Sequence, residues 1–290
     1  MRGMCLRLLG AGLTAALFFS PVAAAEKAKT RKIVLIGMKR DHGPGEHEYM
    51  AGLKILAECL KQTPGVEPVI LKVEYDAKGF GPNAKALNGA HSVVCFLRAG
   101  GAFLLKNQER KLQILKLLKR GTGFVALHWA VEGPKDVGTS YMDILGGYYE
   151  PGFSDNPHNT TTVRAADAKH PIARGWKPFQ ARDEFYFKIR LLEGAKPAII
   201  AKTLKGNDKK DYQDQTIGWV YTRKDNKGDL GPGRSFGFTG CHFHINFGIP
   251  EFRRLIVNGM LWTADVKVPE KGAPVKLKMK VPKVPKEEGK

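Results

Sequence analysis

Cysteine is scarce in these 290 residues: Cys5, Cys59, Cys95 and Cys241 are all there are, and no two of them form a CxxC pair. That excludes a disulfide framework and a zinc ribbon, both of which need paired cysteines at short spacing. Cys59 falls in a helical pattern and Cys95 inside the apolar run Val93-Val94-Cys95-Phe96-Leu97, positions where cysteine serves as a small core residue. Only Cys241, between Gly240 and His242, has a chemical setting. Long apolar runs are missing too, since none reaches the ~20 residues that span a bilayer. No repeat of ~20–50 residues recurs, which excludes solenoids and propellers. Acid is short relative to base, 28 Asp+Glu against 47 Lys+Arg, for a net charge of +19.

What is present begins with two segments outside the expected fold. Arg2 and Arg7 precede an apolar run from Leu8 to Phe19, followed by Pro21 and Ala23-Ala24-Ala25, the pattern of a cleavable signal peptide over residues 1–25. A secreted or periplasmic mature chain starting near Glu26 is expected, with 26–31 as a linker and no transmembrane segment. Cys5 lies ahead of the apolar run, the wrong place for a lipid-modified cysteine. At the other end, residues 266–290 alternate Val, Pro and Lys, and proline at that density blocks helix and central strand. An extended, solvated tail is expected there; its eight lysines face three glutamates, so it holds much of the positive charge. The remaining basic residues, such as Arg110, Lys111, Lys116, Lys119 and Arg120, are spread along helix faces and loops without a recognition motif. Nucleic-acid binding is therefore not expected, although such a surplus alone invites it.

Between these segments, apolar strands alternate with amphipathic helices. Residues 32–38, Pro68–Val73, Ser92–Leu97 and Gly123–Leu127 read as strands buried on both faces. A helix carries Tyr49, Leu53, Leu56 and Leu60 at spacings of three and four. A second is capped by Asn107 and is expected to bury Leu112, Leu115 and Leu118. Such alternation implies right-handed βαβ crossovers and a mostly parallel sheet flanked by helices, an α/β fold. The second half changes character. Strand-like pieces at Thr160–Arg164, Phe185–Ile189, Ala198–Leu204, Thr216–Thr222 and Arg234–Thr239 are separated by turns such as Gly206-Asn207-Asp208 and Asn226-Lys227-Gly228. A closing helix spans Pro250–Trp262.

Open α/β sheets bind ligands at the carboxyl ends of their strands. The loops that open there carry Asp41, His42 and His47, then Arg98, then His128 and Trp129. His242 and His244 follow the last strand, and in an extended segment residues i and i+2 share a side, so both could ligate one metal ion. Asp183-Glu184 precedes an aromatic stretch where an apolar surround can tune a general acid or base.

Several stretches taken in order carry a family resemblance: Asp41-His42-Gly43-Pro44-Gly45-Glu46-His47-Glu48-Tyr49, Gly121 through Ala130 with His128-Trp129, Leu145-Gly146-Gly147, His170-Pro171-Ile172, Asp183-Glu184-Phe185-Tyr186, and Gly240-Cys241-His242 through Asn258-Gly259-Met260-Leu261-Trp262. The set resembles a ThuA-like (trehalose-utilisation) domain over residues 32–265, itself similar to the flavodoxin-like class I glutamine amidotransferase fold. Amidotransferases of that fold place cysteine at the strand-to-helix elbow where this chain has His128, so thiol-dependent glutaminase chemistry is not expected. The resemblance implies work on sugars, including oxidised 3-keto disaccharides, with a divalent, zinc-like metal ion as the candidate cofactor. The expected protein is thus a carbohydrate-active enzyme, or a non-catalytic carbohydrate-binding or scaffold protein of the same fold. Glu184, His128 and His242 are the candidate catalytic residues, Asp41, His42, Tyr49, Arg98, Trp129 and Asp183 the candidate substrate contacts, and His47, His242 and His244 the candidate metal ligands. Tyr49 and Trp129 are expected to offer aromatic faces to sugar rings.

Overall fold

A computed structural model describes residues 30–205, 208–224, 230–278 and 280–283. The expected signal peptide, the turn at Gly206-Asn207 and the turn at Asn226-Lys227-Gly228 lie outside these residues. In chain order the elements are β1 (Arg31–Gly37), α1 (Tyr49–Leu60), β2 (Val66–Lys72), β3 (Ser92–Phe96), α2 (Gly100–Leu105), α3 (Gln108–Lys119), β4 (Gly123–Leu127), α4 (Lys135–Leu145), β5 (Gly147–Tyr148), β6 (His158–Ala165), β7 (Phe179–Glu184), β8 (Arg190–Leu191), β9 (Lys196–Lys205), β10 (Asp208–Arg223), β11 (Gly233–Phe238) and α5 (Pro250–Thr263).

Nine strands form one sheet in the order β2-β1-β3-β4-β11-β10-β9-β6-β7. The first five are parallel, as their continuous apolar sequences require: β3 and β4 are buried along their whole length. From β11 onward the pairing turns antiparallel, and the outer strands β6 and β7 alternate buried with exposed residues. The fold is the expected α/β class. Because β1 is flanked by β2 and β3, the chain reverses direction across the sheet there, and ligands collect at the carboxyl ends of such strands.

Helix α1 packs on α5, and α2 packs on α3 and α4. Gly52 lets α1 lie close against the end of β3 and the turn before α5: a Cβ there would lie 2.8 Å from the Phe96 ring and 2.9 Å from Phe247. Residues Phe252, Leu255, Ile256 and Met260 of α5 are fully buried, so the closing helix seals the core as expected.

Three expectations are corrected. Helix α3 opens at Asn107, whose Oδ1 accepts the Arg110 N–H at 3.0 Å, but its inward face is Arg110, Ile114, Leu117 and Leu118. Leu112 is 58% exposed and Leu115 half-buried, because the Arg110 guanidinium turns inward and donates to the carbonyls of Tyr75, Ala77, Gly79 and Phe103. Phe185–Ile189 is not a regular strand. Strand β7 ends at Glu184, and the aromatic residues after it fold into the core with Phe185, Tyr186 and Phe187 buried. Finally, the segment after Thr263 is extended but not solvated as far as it is described. Val268, Ala273, Val275 and Val281 are buried, Arg253 donates to the Val275 carbonyl, and the Ala273 N–H donates to Asn258 Oδ1. The apolar half of the Val-Pro-Lys pattern thus faces the core while its lysines face water.

Candidate functional site

Three loops and one strand end meet above the parallel strands. The loop after β1 ends at His47, held in the left-handed region at φ 47°, and its N–H donates to the His242 carbonyl at 3.0 Å. His128, the first residue after β4, has φ 53° and is fully buried. Cys241, at φ 100°, turns the chain after β11 so that His242 points back at the other two. Non-glycine residues in such conformations cost about 1–3 kcal/mol each and persist where the surroundings over-determine them. Glu184 ends β7 and supplies the fourth group.

Asp183 anchors this arrangement. Completely buried, its carboxylate accepts the N–H groups of Cys241 (2.8 Å), His242 (2.9 Å) and Glu184 (2.9 Å), and the Asn246 side-chain amide (3.1 Å). It is a positioning residue for the His242 turn, not the substrate contact expected.

Four donor atoms converge as a result. His47 Nε2 lies 3.0 Å from His128 Nε2 and 3.0 Å from His242 Nδ1, and the last two are 3.3 Å apart. Glu184 Oε2 is 3.5 Å from His128 Nε2 and 3.3 Å from His242 Nδ1. Tetrahedral zinc with ligands at ~2.0–2.1 Å sets neighbouring donors ~3.3 Å apart, so the spacing fits such an ion.

Tautomers sharpen the point. His128 Nδ1 faces the Thr239 carbonyl at 2.9 Å, an acceptor only, so it must carry the proton. His47 Nδ1 faces the Asp41 carboxylate at 2.8 Å and is protonated for the same reason. Both Nε2 atoms of the neutral rings therefore turn bare lone pairs toward each other. This is repulsive unless a cation, proton or metal ion, sits among them. Burial, reinforced by His47, holds the pKa of His128 well below its ordinary value, so a proton is disfavoured on that ring, whereas on His242 burial is outweighed by the Glu184 carboxylate and the pKa rises. Burial likewise lowers His47, against its hydrogen bond to Asp41. Burial is the strongest single influence on Glu184 and opposes its ionisation, yet His242, His158 and Asn156 together outweigh it and hold its pKa below the ordinary glutamate value. The set His47, His128, Glu184 and His242 could hold a metal ion. Asp41 and the Thr239 carbonyl are the outer partners that fix ring orientation in such sites.

The remaining expected residues fall as follows. His42 and Trp129 line a pocket of about 140 Å³ beside the cluster, with Glu132, Tyr149, Asn156 and Tyr186. That is smaller than the ~300 Å³ of drug-sized sites, so it admits a small ligand or one unit of a larger one. Tyr49 is fully buried, with its hydroxyl on Asp41 and His47, so it offers no face to a ligand. Arg98 stacks over the Tyr75 ring at 4.4 Å and does not line the pocket. His244 is corrected as a ligand: a 3₁₀ turn begins at His244, ending the alternation that put it beside His242, and its ring packs on Phe247 instead. His128 and Glu184 take the places expected of it. Glu132, Tyr149 and Asn156 were not singled out, and only the three-residue spacing of Trp129 and Glu132 in one turn could have drawn notice.

A larger cavity, about 620 Å³, opens at the opposite edge of the sheet and is lined by Arg31, Arg120, Arg223 and Arg234. Three of these arginines are already engaged: Arg31 and Arg234 share Asp265, Arg234 also donates to the Trp262 carbonyl, and Arg223 donates to Ser235 and to the Thr122 carbonyl. Chemistry belongs to the smaller pocket, where unlike donors converge.

Comparison with known proteins agrees with this architecture. No curated protein matches the sequence. Among solved structures, a ThuA-like protein from Parabacteroides merdae superposes with a TM-score of 0.59 at 16% identity, covering 86% of this chain and 98% of that one. A ThuA-like protein from Bacteroides uniformis gives 0.56 at 16% identity over 84% and 95%, and a cytoplasmic protein from Salmonella typhimurium gives 0.50 at 12% over 80% and 98%. At these identities the likeness speaks for the fold. The sequence model of the trehalose-utilisation family matches residues 34–263, and the chain belongs to that family, ThuA.

Proposed function

We propose that the chain is an exported, metal-dependent enzyme acting on a sugar or keto-sugar at the pocket beside His47, His128, Glu184 and His242. The observation that carries this reading is the convergence of three imidazole nitrogens and one carboxylate oxygen, with two imidazole lone pairs set face to face. A bound divalent ion supplies Lewis acidity toward a ligand oxygen. The protein's part is to hold that chemistry in place. Asp41 and the Thr239 carbonyl keep protons on the outer nitrogens of His47 and His128, and Asp183 fixes the turn that aims His242. Glu184 then serves as an ionised ligand, with Asn156 donating to its other oxygen at 2.9 Å, which replaces the acid/base role expected of it. Trp129 and Tyr149 supply aromatic walls of the kind sugar rings stack on. Sugar as the substrate class is supported by the family's description, trehalose utilisation, and by this mixture of aromatic and carboxylate walls.

The test is incubation of purified, zinc-supplemented protein with trehalose and its 3-keto derivative, with products followed by mass spectrometry. Turnover that disappears in His128→Ala is the expected result. Saccharide binding without any product identifies a non-catalytic binding protein instead. Export rests on Arg2, Arg7 and the Leu8–Phe19 run, and predicts a mature N-terminus near Glu26 by intact mass.

A further inference from the structure

We propose that Glu132 is the acid/base residue of this pocket, exchanging a proton with the reacting oxygen of the ligand. This rests on the enzymatic reading above. Glu132 comes four residues after His128, at the end of the same 3₁₀ turn, and its backbone is tied on both sides: its N–H donates to the Trp129 carbonyl and its carbonyl accepts the Gly101 N–H at 2.8 Å. A bridge to Tyr149 completes the frame. The side chain is thus delivered to the pocket by a rigid element, the requirement for a group that must meet a reacting atom. One carboxylate oxygen, Oε2, accepts the Trp129 indole N–H at 2.6 Å. The other, Oε1, has no partner among the described residues and is left for the pocket that Glu132 shares with Glu184 and Trp129.

Two carboxylates in one pocket are therefore held differently. Glu184 sits among imidazoles that keep it ionised. Glu132 has only the indole, and burial raises its pKa above the ordinary glutamate value, with no cation contributing. Tyr49, Tyr149 and Tyr186 are the titratable groups that feel its charge, and each is pushed upward and stays neutral at ordinary pH. Paired carboxyls driven apart in this way mark an acid/base assignment. In hydrolysis of a C–O bond, the bonding pair leaves with the departing oxygen, which takes the proton as the Glu132 O–H breaks to leave carboxylate, and the carbon forms its new bond to the oxygen of a water molecule. A proton from that water restores the acid.

Glu132→Gln tests this, because the amide oxygen can still accept from Trp129 and so preserves the wall. Zinc content per chain should stay at the wild-type level. Turnover of unactivated disaccharides should fall ~10²–10⁴-fold, the usual worth of such a group. Turnover of 4-nitrophenyl glycosides, whose leaving group needs no proton, should change far less. Independently of activity, tryptophan fluorescence of the wild type should titrate with a midpoint above the ~4.3 of ordinary glutamate, and that transition should vanish in Glu132→Gln and in Trp129→Phe. Wild-type rates on unactivated disaccharides in Glu132→Gln, or no such transition, overturn the assignment. Wild-type protein inert toward every probe overturns the enzymatic reading and this inference together. Turnover by metal-free wild type overturns only the metal.

Discussion

His47 and His128 show how much of this site depends on single backbone angles. Each is a left-handed non-glycine residue that places a bare Nε2 in the same small volume. The outer partners should be felt in metal affinity before they are felt in stability. Asp41→Asn removes the charge that holds His47 Nδ1–H, and zinc binding by calorimetry should weaken ~10–100-fold. The thiols make the opposite prediction. Cys59, Cys95 and Cys241 are buried, and burial pushes Cys59 up to about 11, so Ellman's reagent should find no reactive thiol in the described fold until it is unfolded. At this scale the sequence was legible where chemistry is explicit in the residue type: His47, His128, His242 and Glu184 all converge. It was not legible where role depends on burial or on the direction of a turn. Tyr49 and Asp183 became internal supports, Arg98 stacked on Tyr75, and His244 followed a 3₁₀ turn away from the cluster.

Among the elements, the buried parallel strands were legible from their unbroken apolar runs, since only a strand covered on both faces tolerates such a run. Helix α2 was not, because Gly100-Gly101 reads as loop; the glycines are there because the backbone at Ala130 leaves no room for a Cβ on Gly100. The face of α3 was misjudged because Arg110 reads as surface charge. Its guanidinium donates to four carbonyls, so Arg110→Ala should cost at least ~3 kcal/mol in urea unfolding, the expense of leaving several buried acceptors short of a donor. Lys111→Ala, on the same helix, serves as the control and should change stability by less than ~0.5 kcal/mol.

For the molecule as a whole, the segment after α5 matters more than its lysine content suggested. Val268, Val275 and Val281 are buried, and burying a valine side chain contributes ~1.5–3 kcal/mol. Val275→Asp should therefore lower the unfolding midpoint markedly, whereas Lys278→Ala should not; a Val275→Asp chain as stable as wild type would show that the segment does not pack in solution. The basic surplus is a property of the surface and of this segment, and no helix among the described residues is long and apolar enough to cross a membrane. What the whole fold does is bring the ends of β1, β4, β7 and β11 to one point, residues far apart in sequence whose meeting no local pattern could display.

That meeting is tested most directly by counting metal. Protein purified without chelator, dialysed, and analysed by inductively coupled plasma mass spectrometry should carry close to one equivalent of zinc or a similar divalent ion per chain. His128→Ala and His242→Ala should lose it while retaining the wild-type circular dichroism spectrum. Wild-type protein that is metal-free as purified, and that gives no heat on titration with zinc at neutral pH, would contradict the account.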